Sequence, residues 1–158
     1  MENIYSFNVK WDLKHLSLFA FLLLIPNLLG MINLSTGIGF KLHFFQYAVF
    51  LAAIIYGPFG GLLSGLVGSV YSAITMHNPY IIICNAVLGF FVGYFARKGL
   101  KTLFAVWLAF IIELPLLILA DHYLAGLPIA FILPLIVALA VSNTVWAVAA
   151  QYSARFLR

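Results

Sequence analysis

Residues 57–93 read GPFGGLLSGLVGSVYSAITMHNPYIIICNAVLGFFVG, two apolar segments joined at His77, Asn78, Pro79 and Tyr80. Small residues recur in the first segment at Gly57, Gly61, Ser64, Gly65, Gly68 and Ser72. At about 3.6 residues per turn most of them fall along one side of a helix, leaving a groove that admits another backbone. In the second segment Asn85, Gly89 and Gly93 stand four apart, so one amide shares a face with two glycines. Faces of this kind commonly serve helix packing in membranes. The amide, in a segment too apolar for water, needs a partner of its own.

The rest of the chain keeps the same character. Of 158 residues, 65% are hydrophobic and 8% charged, and a water-soluble fold has neither the interior to hide that surface nor the charge to cover it. The sequence is that of an integral membrane protein with one domain, 1–158. Nothing at the start resembles a cleaved signal, because 1–14 is polar, mixed in charge and followed by a full span. The single cysteine, Cys84, has no intrachain partner. A net charge of +4 would suggest nucleic acid in a soluble protein, but here the basic residues flank apolar runs and report topology instead.

Six spans are expected, at 16–32, 41–56, 59–76, 80–96, 102–120 and 127–152, forming one all-α bundle. Each is long enough for roughly 30 Å of hydrocarbon. Pro26 and Asn27 should kink the first and free carbonyls that need a neighbour. Six spans place both termini on one side, together with Lys10, Lys14, Arg97, Lys98, Lys101, Arg155 and Arg158, against Lys41 alone on the other. That asymmetry puts both termini in the cytoplasm of a multi-pass cell-membrane protein. The outer turns are then 33–41, 77–80 and 121–126. The first is rich in Gly, Ser and Thr, and Gly37 and Gly39 would leave it mobile.

The stretch from Gly57 to Gly93 also resembles a known family. Gly57, Pro58, Gly61, Gly65 and Gly68 follow a GP-x-x-G-x-x-x-G-x-x-G pattern, then come Asn78-Pro79 and the run Asn85, Gly89, Gly93. This is similar to the substrate-binding S components of energy-coupling factor (ECF) transporters. Ser69 departs from the pattern, since many members carry an acid there. The first helix offers Ser17 then Phe21, and Ala20 then Leu24, where members often have small residues four apart. The resemblance implies a bundle that takes a vitamin-like substrate from outside, with 33–41 (Asn33, Ser35, Gly37, Gly39) as lid and Gly57, Gly61, Gly65 and Gly68 in packing or docking. It further implies a separate T component and two ATPase subunits as partners, and no cofactor.

The polar residues inside the spans are the candidate site. Glu113 is the one acid well inside a span, roughly 18 Å along its helix at 1.5 Å per residue. It should be protonated, hydrogen-bonded or facing a wet cavity, either beside a helix freed by Pro115 or Pro26 or in contact with substrate. Asn85 lies about one and a half turns below the Asn78-Pro79 turn, a depth suited to a pocket floor. Asn143 and Trp146 share a face three residues apart, an amide and an indole fit to bond and stack a heteroaromatic ring, or else to bridge helices. His43, Gln46, Asn78 and Tyr80 join the site list from near the outer surface, where interfacial anchoring is the plainer role for Tyr80. His77, Asp121 and His122 come from different turns without metal-ligand spacing, so no metal is expected.

Charge bears on the substrate. The outer half holds Glu113 and Asp121 but only Lys41 as a cation, whereas a carboxylate substrate would need paired Arg or Lys. A neutral or cationic heterocycle fits better; thiamine, its pyrimidine precursor and a deazapurine precursor are examples. Catalysis is not expected, because the chain has no HExxH, no Gly-x-Ser-x-Gly, no paired intramembrane aspartates and no Walker A pattern. The alternative to a substrate binder is a structural or assembly subunit of a membrane complex, in which the same polar groups would bond to helices.

Overall fold

The structure, a computed structural model, describes residues 11–35 and 41–157. Its elements are α1 (Leu13–Gly30), β1 (Asn33–Ser35), β2 (Lys41–His43), α2 (Phe45–Gly68), α3 (Val70–Thr75), α4 (Tyr80–Arg97), α5 (Thr102–Ile118), a π-helical turn at Leu119–Leu124, and α6 (Ile129–Leu157). Among the described residues five helices are long and apolar enough to cross a membrane, counting Phe45–Thr75 as one. That is one fewer than the six spans expected, because Phe45–Thr75 takes in both 41–56 and 59–76.

Gly57 makes the division instead. Its φ of 78° and ψ of −161° are non-helical, so α2 bends within a single residue. Ala53 and Gly61 come together across that bend: a Cβ on Gly61 would stand 2.8 Å from that of Ala53. Residues eight apart on a continuous helix are about 12 Å apart, so the two limbs of α2 fold back on each other. Ser69 interrupts the second limb, its hydroxyl taking up the Gly65 carbonyl at 2.5 Å, and α3 continues it.

The second limb lies against α4 along the glycines. A Cβ on Gly61 would collide with the Gly89 carbonyl, one on Gly65 with that of Asn85, and one on Gly93 would stand 2.5 Å from the Gly57 carbonyl carbon. The groove and the N-x-x-x-G-x-x-x-G face are therefore two sides of one contact. α1 covers the other flank through groups its proline releases. Pro26 has no N–H for the Leu22 carbonyl, and Ser64 donates to that carbonyl instead at 2.7 Å. Asn27 then bridges the interruption after Gly68, donating to the Val67 carbonyl at 2.8 Å and accepting from the Tyr71 N–H at 2.9 Å.

The core is built around the first limb of α2, whose Phe50 and Tyr56 pack with Leu22, Leu88, Val106, Phe110 and Ala147. Large side chains on the outward faces remain exposed, among them Phe21 and Leu24 on α1, Phe104 and Ile111 on α5, and Leu133 and Val141 on α6. In lipid that is the solvated surface. Both helical ends meet at one pole: Tyr56 donates to the His15 carbonyl at 2.8 Å, and Arg97 to the Ile55 carbonyl at 3.3 Å.

The segment 33–41, expected as a loop, begins and ends as an antiparallel hairpin with Asn33 opposite His43 and Ser35 opposite Lys41. The lid glycines Gly37 and Gly39 lie outside the described residues, as does the side chain of His43. Because the chain is extended through His43, the helix expected to start at Lys41 starts at Phe45. The limb before Gly57 is thus about 18 Å long, against about 27 Å for α4. Val49 reaches the level of Gly89, so the limb begins about one turn beyond it and leaves the space further out unfilled by helix.

Candidate functional site

That space is a cavity of about 520 Å³ at the pole opposite the two termini. The end of α1 reaches it with Gly30, the start of α2 with Phe45 and Gln46, and the α3 region with Tyr71, Ser72, Thr75 and Met76. α4 contributes Ile81, Cys84 and Asn85; α5 and the π turn contribute Glu113, Leu117 and Asp121; α6 supplies a mainly apolar wall from Ala130 to Leu139. Pro134 has no N–H for the Ala130 carbonyl, and both residues line this wall, which leaves a backbone acceptor beside the cavity.

Three polar side chains line the cavity from the start of α2, from α4 and from α5. Gln46 is buried, and its Oε1 accepts from Ser142 on α6 at 2.7 Å, so Nε2 is what the amide still offers the cavity. Asn85 donates Nδ2 back to the Ile81 carbonyl at 3.0 Å, keeping Oδ1 as an acceptor. Glu113 is only 4% exposed and lines the cavity, and no other described residue hydrogen-bonds it. A donor, an acceptor and a carboxyl on otherwise apolar walls suit a flat ligand carrying both N–H and carbonyl groups. Among the described residues, no group of three His, Cys, Asp or Glu is placed to hold a metal ion.

A family model described as "ECF-type riboflavin transporter, S component" matches residues 10–154. The chain belongs to this family. No curated protein and no solved structure matches it. The S component of an ECF transporter is its substrate-binding subunit, a membrane protein and not a catalyst, which settles the choice left open between a binder and an assembly subunit.

Of the residues singled out from the sequence of this S component, Gln46, Asn85 and Glu113 lie together on the cavity wall. Asn143 and Trp146 do not line it. Asn143 stands one helical turn beyond the lining residue Leu139, on the same face, and both its polar atoms and the Trp146 Nε1 are buried with no partner among the described residues. Trp146 packs on Phe44 and Tyr47, ring centroids 4.7 and 6.0 Å away. Asn78 is not on the wall; it donates to the Asp121 carboxylate at 2.7 Å and accepts from the Tyr80 N–H at 3.1 Å. Tyr80 opens α4, half-buried and off the wall.

Ser72, Thr75 and Asp121 are lining residues that sequence reasoning left out of the site. Ser72 was counted in the small-residue stripe, and continuing that stripe by one turn reaches Thr75. Asp121 carried no such signal. The segment DHYLAG reads as a surface turn, whereas the chain stays helical through Leu124 with the wider π pitch and Asp121 is buried. Such wide turns recur at functional sites.

Proposed function

We propose that this S component captures riboflavin, or a vitamin with the same ring, from outside the cell and delivers it to a separate ECF module of one T component and two ATPase subunits. The observation that supports the reading is a cavity lined together by Gln46, Asn85 and Glu113. Its volume lies in the range of roughly 300–1,000 Å³ usual for small-molecule sites. The riboflavin ring is uncharged, has an imide N–H for the Glu113 carboxyl and carbonyls for the Gln46 Nε2, and agrees with the scarcity of cations at this pole. It is a neutral heterocycle, the class favoured by the charge distribution, although not one of the compounds that distribution brought forward.

Orientation follows from the basic residues. Lys14, Arg97, Lys98, Lys101 and Arg155 all belong to the pole of the termini, away from the cavity. In this reading that pole is cytoplasmic by the positive-inside rule, and the folded-back limbs of α2 support counting six crossings. In this reading 33–41 keeps the role of lid that the family resemblance implies, at the side where β1 and β2 pair.

Intrinsic flavin fluorescence tests the reading. Riboflavin titrated with purified protein in detergent is expected to be quenched with a submicromolar Kd, and a ligand at about 100 times its Kd adds about 2.7 kcal/mol of stability. Absence of quenching, with thermal stabilisation by thiamine instead, would overturn it.

Asn143 and Trp146 remain in the proposed site as its deeper layer, since three buried polar atoms without partners call for a guest. Asn143→Ala is expected to weaken binding by about tenfold, the equivalent of one lost hydrogen bond. The same change should leave the melting temperature of the ligand-free protein equal or higher, because it removes an unsatisfied amide. Unchanged affinity would take both residues out of the site.

A further inference from the structure

We propose that Asp121, held by Asn78, is a specificity residue that rejects phosphorylated forms of the substrate; this rests on the flavin reading above. Asp121 is 5% exposed and lines the cavity from the π turn, whereas Glu113 reaches it from the middle of α5. Asn78 is 1% exposed and fixed at both ends of its amide, by the Asp121 Oδ1 and by the Tyr80 N–H. It joins the turn before α4 to the turn after α5 and holds one oxygen of the carboxylate. His122, next in sequence, is occupied elsewhere: its Nδ1 lies 2.9 Å from the Leu127 carbonyl.

The described lining contains two carboxyls and no Lys, Arg or His. Lys41, in β2, is the one Lys or Arg that the sequence brings to this pole. A neutral ligand with hydroxyl groups can donate to the Asp121 carboxylate. A phosphate monoester brings a charge of about −1.5 to −2 carried on acceptor oxygens, and at the cavity wall it meets a carboxylate with no Lys, Arg or His in the described lining to offset the repulsion. Asp121 is thus a selector for charge, and Asn78 is its positioning residue.

The test compares riboflavin, riboflavin 5′-phosphate and the uncharged riboflavin 5′-acetate by fluorescence quenching on the purified S component. The phosphate is expected to bind about 30-fold or more weakly than riboflavin, and the acetate close to riboflavin. In Asp121→Asn the ratio of phosphate to riboflavin Kd should narrow by about fivefold or more, whatever happens to riboflavin affinity itself. Asn78→Ala should narrow it in the same direction, which a purely structural role for Asn78 would not do.

Equal binding of riboflavin and its phosphate overturns the proposal. So does rejection of the acetate along with the phosphate, which would mean exclusion by size. That comparison needs no variant, so it decides even where Asp121→Asn yields no folded protein. An unchanged ratio in a folded Asp121→Asn variant also overturns it. Failure of riboflavin itself to bind defeats the flavin reading, and this inference with it.

Discussion

Gly61→Val should yield no folded protein. A Cβ at Gly61 falls on the carbonyl oxygen of Gly89, and one at Gly89 falls on the carbonyl oxygen of Gly61. The obstacle on both sides is main chain in the middle of a helix, so no side-chain rotation relieves the overlap. To admit the valine, α2 and α4 would have to separate along the whole seam, breaking the approaches of Gly65 to Asn85 and Gly57 to Gly93 as well. A cost above about 4 kcal/mol is expected, a large part of the stability of a domain this size. Loss of the monodisperse peak on size exclusion in detergent is the readout. A Gly61→Val protein that purifies normally and melts within a few degrees of the parent would show that the two backbones are not in contact.

Glu113→Ala is expected to move affinity and stability in opposite directions. The carboxyl sits in the apolar bundle without a described partner, so it costs the empty protein free energy and returns it only when a ligand bonds to it. Removing it should weaken riboflavin binding by about 10- to 100-fold, the range for a hydrogen bond to a charged or strongly polar group. The ligand-free protein should meanwhile melt at the same temperature or higher. Glu113→Gln, which keeps the shape and one acceptor, should fall between. If Glu113 were instead a structural acid bonded to a helix freed by a proline, both affinity and stability would drop together. Calorimetry on the two variants, with and without riboflavin, separates these outcomes.

Much of this architecture is legible in the residues. The glycine spacing announces a close helix pair, and Asn85, Gly89 and Gly93 supply the other side of it. Pro26 announces a carbonyl in need of a donor, and Ser64 supplies one. Elsewhere a physical ambiguity intervenes. In lipid the outward face of a helix is as apolar as the inward one, so hydrophobic periodicity does not tell which side of α6 lines the cavity. Leu139 and Val141 look alike in sequence, yet the first lines the cavity and the second is exposed. Strands of three residues are too short to carry a period, which hid the hairpin and with it the late start of α2. That Asp121 lines the cavity and Asn78 stands behind it was hidden for a related reason. Turn-forming residues are read by local chemistry, and here a π pitch carries one inward while the other serves to hold it.

The bend at Gly57 ties the two limbs of α2 and the stretch of α4 from Asn85 to Gly93 into one block, its second limb meeting α4 main chain to main chain. Helices in such contact cannot slide past one another without lifting apart. Any change of shape on loading or unloading therefore falls to the elements packed around this block rather than to a shear within it.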